Sequence, residues 1–258
     1  MAADTAAAVR TAVEGDVLVI TIDRPAARNA VNVAVAQGIA AALDRLDVDD
    51  ALAIGVLTGA GGGFSAGMDL KGFARGETPV VGDRGFAGIV RRASRKPLIA
   101  AVEGFAVAGG LEVALACDLI VAARGARMGL PEVKRSLIAA GGGLLRLAQR
   151  MPYHAAMEIG LTGEPMSAER LHELGVVNRL AEPGQALTVA LALAAEITPN
   201  APLALAATKH IVEHATEWGL EEGWRRQEPI VARVHGSEDA QEGAVAFAEK
   251  RPAVWRGR

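Results

Sequence analysis

Through the first half of the chain, short β-branched runs alternate with helix-spaced segments, and this order limits the fold more than any other feature. Val17-Leu-Val-Ile-Thr-Ile22 reads as a strand, and Val33 to Leu46 carries apolar residues at helical spacing. Leu52 to Leu57, Pro97 to Val102 and Leu119 to Ala122 read as three further strands. The second half is mostly helical, with Ala186 to Ile197, Pro202 to His214, Leu220 to Val234 and Asp239 to Ala248 as the candidate helices. Interleaved strands and helices followed by a run of helices predict an α/β sheet core with a helical tail. At 258 residues the chain is long enough for one substantial core. Gly72 to Gly88, with Pro79 and several glycines, is the least patterned stretch and is expected to form a lid or flexible cover.

Charge and cysteine content narrow the class. A net charge of −3 gives no long-range attraction to nucleic acid, and no basic run interleaved with aromatics supplies a local one. The only cysteine, Cys117, sits in Val113-Ala-Leu-Ala-Cys117, so no intrachain disulfide can form; a core thiol in a reducing compartment is expected. Without a cysteine pair or clustered histidine and carboxylate spacing, no metal site is expected. The start, Met1 to Arg10, carries an early acid and lacks the basic and apolar segments of a secretion signal. No window reaches the roughly 18 apolar residues of a membrane span. A soluble, cytoplasmic protein with no membrane partner is the expectation.

Three glycine-rich turns stand where a strand gives way to a helix: Gly59 to Leu70, Gly104 to Gly110, and Ala139 to Gly143 before Leu144. Glycine lets the backbone approach a ligand closely, and free N–H groups at a helix start attract negative charge. Two such donors converging on one point would hold an oxyanion; taken singly, each turn also reads as a tight turn or a packing position. Glu112 follows Gly109-Gly110 directly, and Glu132 follows Gly129-Leu-Pro. Two glutamates in apolar settings suit paired acid/base work, because desolvation and local dipoles move their proton affinities. Either one alone reads rather as a salt-bridging surface acid.

Competing motifs are weaker. None of the turns matches the dinucleotide pattern, because Phe64 or Ala66 stands where its last glycine belongs. Gly63-Phe-Ser65-Ala-Gly67 matches the nucleophile elbow of serine hydrolases, although five residues, four of them glycine, separate Ser65's turn from Thr58. His154, His172, His210, His214 and His235 lie in polar or amphipathic helical stretches and read as surface residues.

Several separated motifs, in order, resemble the crotonase superfamily, the enoyl-CoA hydratase/isomerase family. They are Arg24-Pro25 with Asn29-Ala30, Phe64 to Leu70, Lys96 to Glu112, Cys117-Asp118, Pro131-Glu132, Leu161-Thr-Gly163, and Phe247 to Arg251. The closing Ser237 to Gly243 and Trp255 to Arg258 are similar to the carnitinyl-CoA dehydratase branch. The resemblance implies a spiral of ββα turns over 1–195, a helical oligomerisation region over 196–258, and a homotrimer or a hexamer of paired trimers. It implies an acyl-CoA substrate, with coenzyme A arriving as part of that substrate and no permanently bound cofactor.

It also implies roles. The backbone N–H groups of Met68 and Gly109 form the oxyanion hole for the thioester oxygen. Glu132 exchanges the proton at the α-carbon, and Glu112 orients and deprotonates the water that adds at the β-carbon. Ala26, Ala27 and Arg28 follow the pantetheine and phosphates; Ala66, Asp69 and Leu70 lie near the adenine; Phe247 and Lys250 come from a neighbouring subunit. Ser136-Leu-Ile-Ala-Ala140 departs from the family's Gly-Thr-Ile-Pro-Gly, so the water-fixing N–H belongs to Ala140. The expected reaction is hydration of a 2-enoyl-CoA. Carnitinyl-CoA dehydration, isomerisation and decarboxylation stand as alternatives on the same scaffold, with a serine hydrolase and a non-catalytic acyl-CoA binder from other classes.

Overall fold

The computed structural model describes residues 8–258, so most of the alanine-rich start lies outside the described residues. β1 (Val9–Glu14) and β2 (Val17–Ile22) form an antiparallel hairpin, with Gly15 at φ +63° in the turn between them. α1 (Val33–Val48) is capped by Asn32, whose side chain accepts from the Val35 N–H, and leads into β3 (Ile54–Gly59). After β3 come α2 (Leu70–Ala74) and the two-residue strands β4 (Val80–Val81) and β5 (Gly85–Phe86). β6 (Leu98–Val102), β7 (Phe105–Val107) and α3 (Gly109–Leu115) form one strand–strand–helix unit. β8 (Leu119–Ala123), β9 (Arg127–Gly129), a 3₁₀ turn at Pro131–Arg135 and α4 (Gly143–Arg150) form the next.

The larger sheet runs β1-β2-β3-β6-β8-β11, where β11 is Arg179–Ala181; every neighbouring pair is parallel except β1 with β2. Its central strands read as continuous apolar runs because both faces are covered. Leu18, Ile20 and Ile22 point to one side with Leu57, Leu98, Val102 and α1; Val17, Val19, Ile54 and Val56 point to the other. That second side is covered by α7 (Ala186–Ile197) through Ala186, Ala190, Leu193 and Ala194. A smaller layer holds β7, β9 and β10 (Met166–Ser167), and the isolated bridge Ser65↔Ala106 extends it. The turns that begin with β3, β6 and β8 thus each contribute one strand to the large sheet and one short extended segment beside it, the ββα repeat the resemblance implied.

α5 (Tyr153–Thr162) packs against the 3₁₀ turn and α4, α6 (Ala168–Glu173) packs beside β10 and β11, and α8 (Pro202–His214), α9 (Leu220–His235) and α10 (Glu238–Glu249) complete the chain. Lys209 of α8 is held to the core by the Asp118 carboxylate at 2.7 Å and the Lys96 carbonyl at 3.0 Å. Among the described residues, no single helix is long and apolar enough to cross a membrane.

Three expectations change. The strand expected at Leu52 begins at Ile54, because the Leu52 N–H closes a turn onto the Asp49 carbonyl. The Gly104 to Gly110 turn contains β7, whose three residues are too few to show a period. Gly72 to Gly88 is fastened down rather than loose: buried Arg84 donates to the Arg92 and Ala93 carbonyls and to Asp44.

Candidate active site

Five chain segments, one of them the turn at Arg28, meet at a cavity of about 620 Å³. The turn after β3 supplies Ala66, Met68 and Leu70, and the start of α3 supplies Ala108, Gly109 and Glu112. The 3₁₀ turn and its sequel supply Glu132, Arg135, Leu137, Ile138 and Ala140; Gly85 to Arg91 closes the remaining wall.

The turn after β3 is fixed by buried polar groups. Asn29 Nδ2 donates to the carbonyls of Ala60 and Gly63, and its Oδ1 accepts from the Arg24 N–H. Ser65 is fully buried; its hydroxyl donates to the Asn29 carbonyl at 2.8 Å and accepts from the Gly67 N–H at 3.1 Å. A hydroxyl so engaged and closed off from the cavity is a structural group, which removes the nucleophile elbow. Gly67 follows at φ +84°, and a methyl placed there would stand 2.7 Å from the Gly109 nitrogen. This contact brings the Met68 and Gly109 backbones side by side. The Gly67 carbonyl and Asp69 N–H both bond to Val31, so the intervening Met68 N–H faces away from that pairing, and Met68 lines the cavity. Gly109 opens α3, where its N–H has no carbonyl one turn back. Ala108 before it is held at φ +53°, ψ −131°, an unfavourable conformation for any residue with a Cβ, and its N–H donates to the Gly129 carbonyl.

Glu112 lies on the first turn of α3 and is 4% exposed. Its Oε1 accepts from the Gly143 N–H at 3.0 Å, and Gly141 passes so close that a Cβ there would stand 2.6 Å from Oε2. Burial raises its pKa above the ordinary 4.5, opposed by the Gly143 and Gly141 N–H groups and by the Arg146 charge. Glu132, on the 3₁₀ turn, is half-buried, and its Oε2 is buried with no hydrogen-bond partner. Burial raises its pKa too, its own N–H opposes the rise, and the neighbouring Glu112 charge adds to it. The two acids are therefore shifted in the same direction, and they differ in partners: one is held by amides and the other has an oxygen free for a proton or a substrate. Arg146, not singled out in the sequence, fixes the loop that holds Glu112 by donating to the Gly141 carbonyl at 3.2 Å and the Val90 carbonyl at 2.6 Å.

The other expected residues divide. Arg28, Ala66 and Leu70 line the cavity, with the Arg28 guanidinium 4.5 Å above the Phe105 ring. Asp69 caps α2, accepting from the Lys71 and Gly72 N–H groups, and pairs with Arg24 at 3.1 Å. Ala26 and Ala27 form a 3₁₀ turn outside the lining. Phe247, 87% exposed, and Lys250 sit at the end of α10, away from this cavity within one chain. Cys117 is buried, and burial pushes its thiol pKa well up. His210, His214 and Trp218 stack against one another outside the cavity. No cluster of three potential metal-ligating side chains occurs among the described residues. Phe86, Val90, Arg91 and Arg135 line the cavity without having been singled out; they fall in a two-residue strand, a 3₁₀ turn or irregular chain, too short for a period to mark which side chains turn inward.

The enoyl-CoA hydratase/isomerase family model matches residues 12–258. A carnitinyl-CoA dehydratase from Salmonella enteritidis is 42% identical over 252 residues, covering 95% of this chain and 96% of the relative. The crystal structure of enoyl-CoA hydratase EchA1 from Mycobacterium marinum superposes with a TM-score of 0.96 at 57% identity, covering 98% of this chain and all of that one. A carnitinyl-CoA hydratase from Mycobacterium avium superposes at 0.79 with 44% identity, over 98% of this chain and 100% of that one. The chain belongs to the enoyl-CoA hydratase/isomerase family of the crotonase superfamily.

Proposed function

We propose that this protein is an enoyl-CoA hydratase that adds water reversibly across the 2,3 double bond of a 2-enoyl-CoA thioester. The observation that carries this reading is the meeting of Glu112 and Glu132 in one cavity beside the Met68 and Gly109 backbone. The thioester oxygen is placed between the Met68 and Gly109 N–H groups. Water, held by Glu112 and the loop at Ala140, gives a proton to the Glu112 carboxylate as its oxygen bonds to C3. The C2–C3 π electrons move toward the thioester, and the charge gathers on its oxygen. Donors already in place stabilise that charge, an effect of about 3 kcal/mol for a single donor in other enzymes. Glu132 then delivers a proton to C2, and the enolate electrons return to form the new C–H bond.

Two facing acids favour water addition over double-bond isomerisation, which moves one proton between carbons and needs a single acid/base group. Dehydration of a 3-hydroxyacyl-CoA is the same path reversed, and the carnitinyl-CoA relatives support it as a second reading. Coenzyme A enters with the substrate along Arg28, Ala66 and Leu70, and no resident cofactor takes part. Phe247 and Lys250 reach the site from a neighbouring subunit of a trimer. Turnover of a short panel of 2-enoyl-CoA thioesters, followed by loss of the conjugated thioester absorbance, tests the reading; absence of turnover across the panel overturns it.

A further inference from the structure

Among the described residues, Arg28, Arg91, Arg135 and Arg233 are the arginines whose guanidinium groups make neither an ion pair nor a hydrogen bond, and the first three line the cavity. The rest of the protein pairs its arginines extensively; these three are solvent-exposed and unpaired at a single cavity, an arrangement that suits an anion. Arg28 stands with Ala66 and Leu70, on the segment assigned to coenzyme A. Arg91 and Arg135 come from the two other walls. Arg135 is three residues past Glu132 on the same turn, close enough for its charge to act on that carboxyl group. Arg91 follows Val90, whose carbonyl accepts from Arg146, and Arg146 also grips the Gly141 carbonyl beside Glu112. The Arg91 stem lies across Gly85, where an added Cβ would meet its Cγ at 2.8 Å.

The lining near these two arginines is apolar, with Val90, Leu137 and Ile138. Phe86 is the only aromatic side chain in the lining, and Glu112 and Glu132 are its only acids. A quaternary ammonium group calls for an aromatic cage or a free carboxylate. Here it would meet one ring, three guanidinium groups and two glutamates, one of them held by backbone amides. An acyl chain of a few carbons ending in a carboxylate would lay its methylenes on the apolar wall and its charge on Arg91 and Arg135.

Resting on the hydratase reading above, we infer that the acyl group this site selects is anionic, the monothioester of a short unsaturated dicarboxylic acid, and that the site disfavours cationic acyl groups of the carnitine kind. Isothermal titration calorimetry with saturated thioesters tests this without turnover. Butanoyl-CoA, glutaryl-CoA and 4-(trimethylammonio)butanoyl-CoA present a methyl, a carboxylate and a cation to the same place. Glutaryl-CoA should bind at least ~10-fold tighter than butanoyl-CoA, the size of one charge-assisted contact, with the cationic thioester weakest. The Arg91→Met/Arg135→Met double variant should lose the glutaryl preference while its affinity for free coenzyme A holds. Equal binding of glutaryl- and butanoyl-CoA by the wild type, a preference for the cation, or an equal loss for free coenzyme A and glutaryl-CoA in the double variant would overturn the inference. The hydratase reading fails separately, when glutaryl-CoA is preferred and no 2-enoyl-CoA is turned over.

Discussion

Glu132 keeps one carboxylate oxygen buried and unpartnered, and a group in that state binds its proton more tightly in the folded protein than in the unfolded chain. The sign follows from linkage. A raised carboxyl pKa favours the fold at low pH, and that contribution is lost as pH rises through the elevated folded-state value. Glu132→Gln should therefore melt higher than the wild type at pH 7, with the gap closing toward about pH 4, where the wild-type acid is itself neutral. Its hydration rate should fall at least ~100-fold, because the amide cannot exchange the proton. Thermal melts and initial rates on one preparation check both halves. Wild-type turnover in the variant would remove Glu132 from the reaction.

The same pair sets the pH profile. On the proposed mechanism hydration needs Glu112 as the carboxylate and Glu132 as the acid, so kcat/KM should be bell-shaped, with limbs that belong to the coupled pair. Both groups are shifted upward by burial, which places the acidic limb above the ordinary glutamate value of 4.5. Initial hydration rates across pH measure it, and an acidic limb at or below 4.5 contradicts the desolvated site. Gly67 is as stringent as the acids in another way. At φ +84°, and with a methyl 2.7 Å from the Gly109 nitrogen, Gly67→Ala meets both a conformational penalty and a clash. The variant should lose turnover by roughly 100-fold or more, the loss expected when an oxyanion donor is displaced. Near-wild-type kcat in a folded Gly67→Ala protein would separate this turn from catalysis.

At the scale of elements, the turn between β3 and α2 is rigid because Ser65 and Asn29 satisfy its backbone from within. Ser65→Ala leaves the Gly67 N–H and one Asn29 carbonyl contact unmade in a dry interior, a loss on the order of 1–3 kcal/mol. Denaturant melts should show that loss. Turnover by the folded variant should persist, since the hydroxyl lies outside the cavity; a loss of turnover of a thousandfold in folded protein would restore the nucleophile. These elements also show where sequence reading reached its limit. Val17–Ile22 and Ala186–Ile197 were legible to the residue because long uniform runs carry their own period. β7, β9 and β10 were not, since two or three residues take their extended form from partners distant in sequence. α4 to α6 were legible only as a helix start at Leu144 and helical stretches around His154 and His172, without bounds, because glycine and charge interrupt their apolar spacing. In the site, Glu112 and Glu132 stood out as carboxylates in apolar company, whereas Arg91 and Arg135 looked like ordinary loop charges until the fold turned them to a shared cavity.

Across the whole molecule, the cavity and the C-terminal helices pose one question together. Phe247 is almost fully exposed at the end of α10, and Leu145, Tyr153 and Leu161 are exposed on α4 and α5. Large apolar side chains left in water along several helices are characteristic of surfaces that associate, since burying each one contributes about 1.5–3 kcal/mol. Lys250 stands beside Phe247 in a left-handed cap at φ +55°, which holds its backbone in one direction beyond the helix. A ring of subunits would let this end of α10 reach a neighbour's coenzyme A, as proposed, and closed cyclic symmetry is how such a head-to-tail contact avoids open fibres. Sedimentation velocity at micromolar concentration should then give a trimer or a pair of trimers. Phe247→Ala should weaken acyl-CoA binding by roughly tenfold without changing kcat at saturation, because the side chain contacts a part of the substrate remote from the reacting carbons. A stable monomer that binds acyl-CoA as tightly as the assembled protein would show that each chain completes its own site.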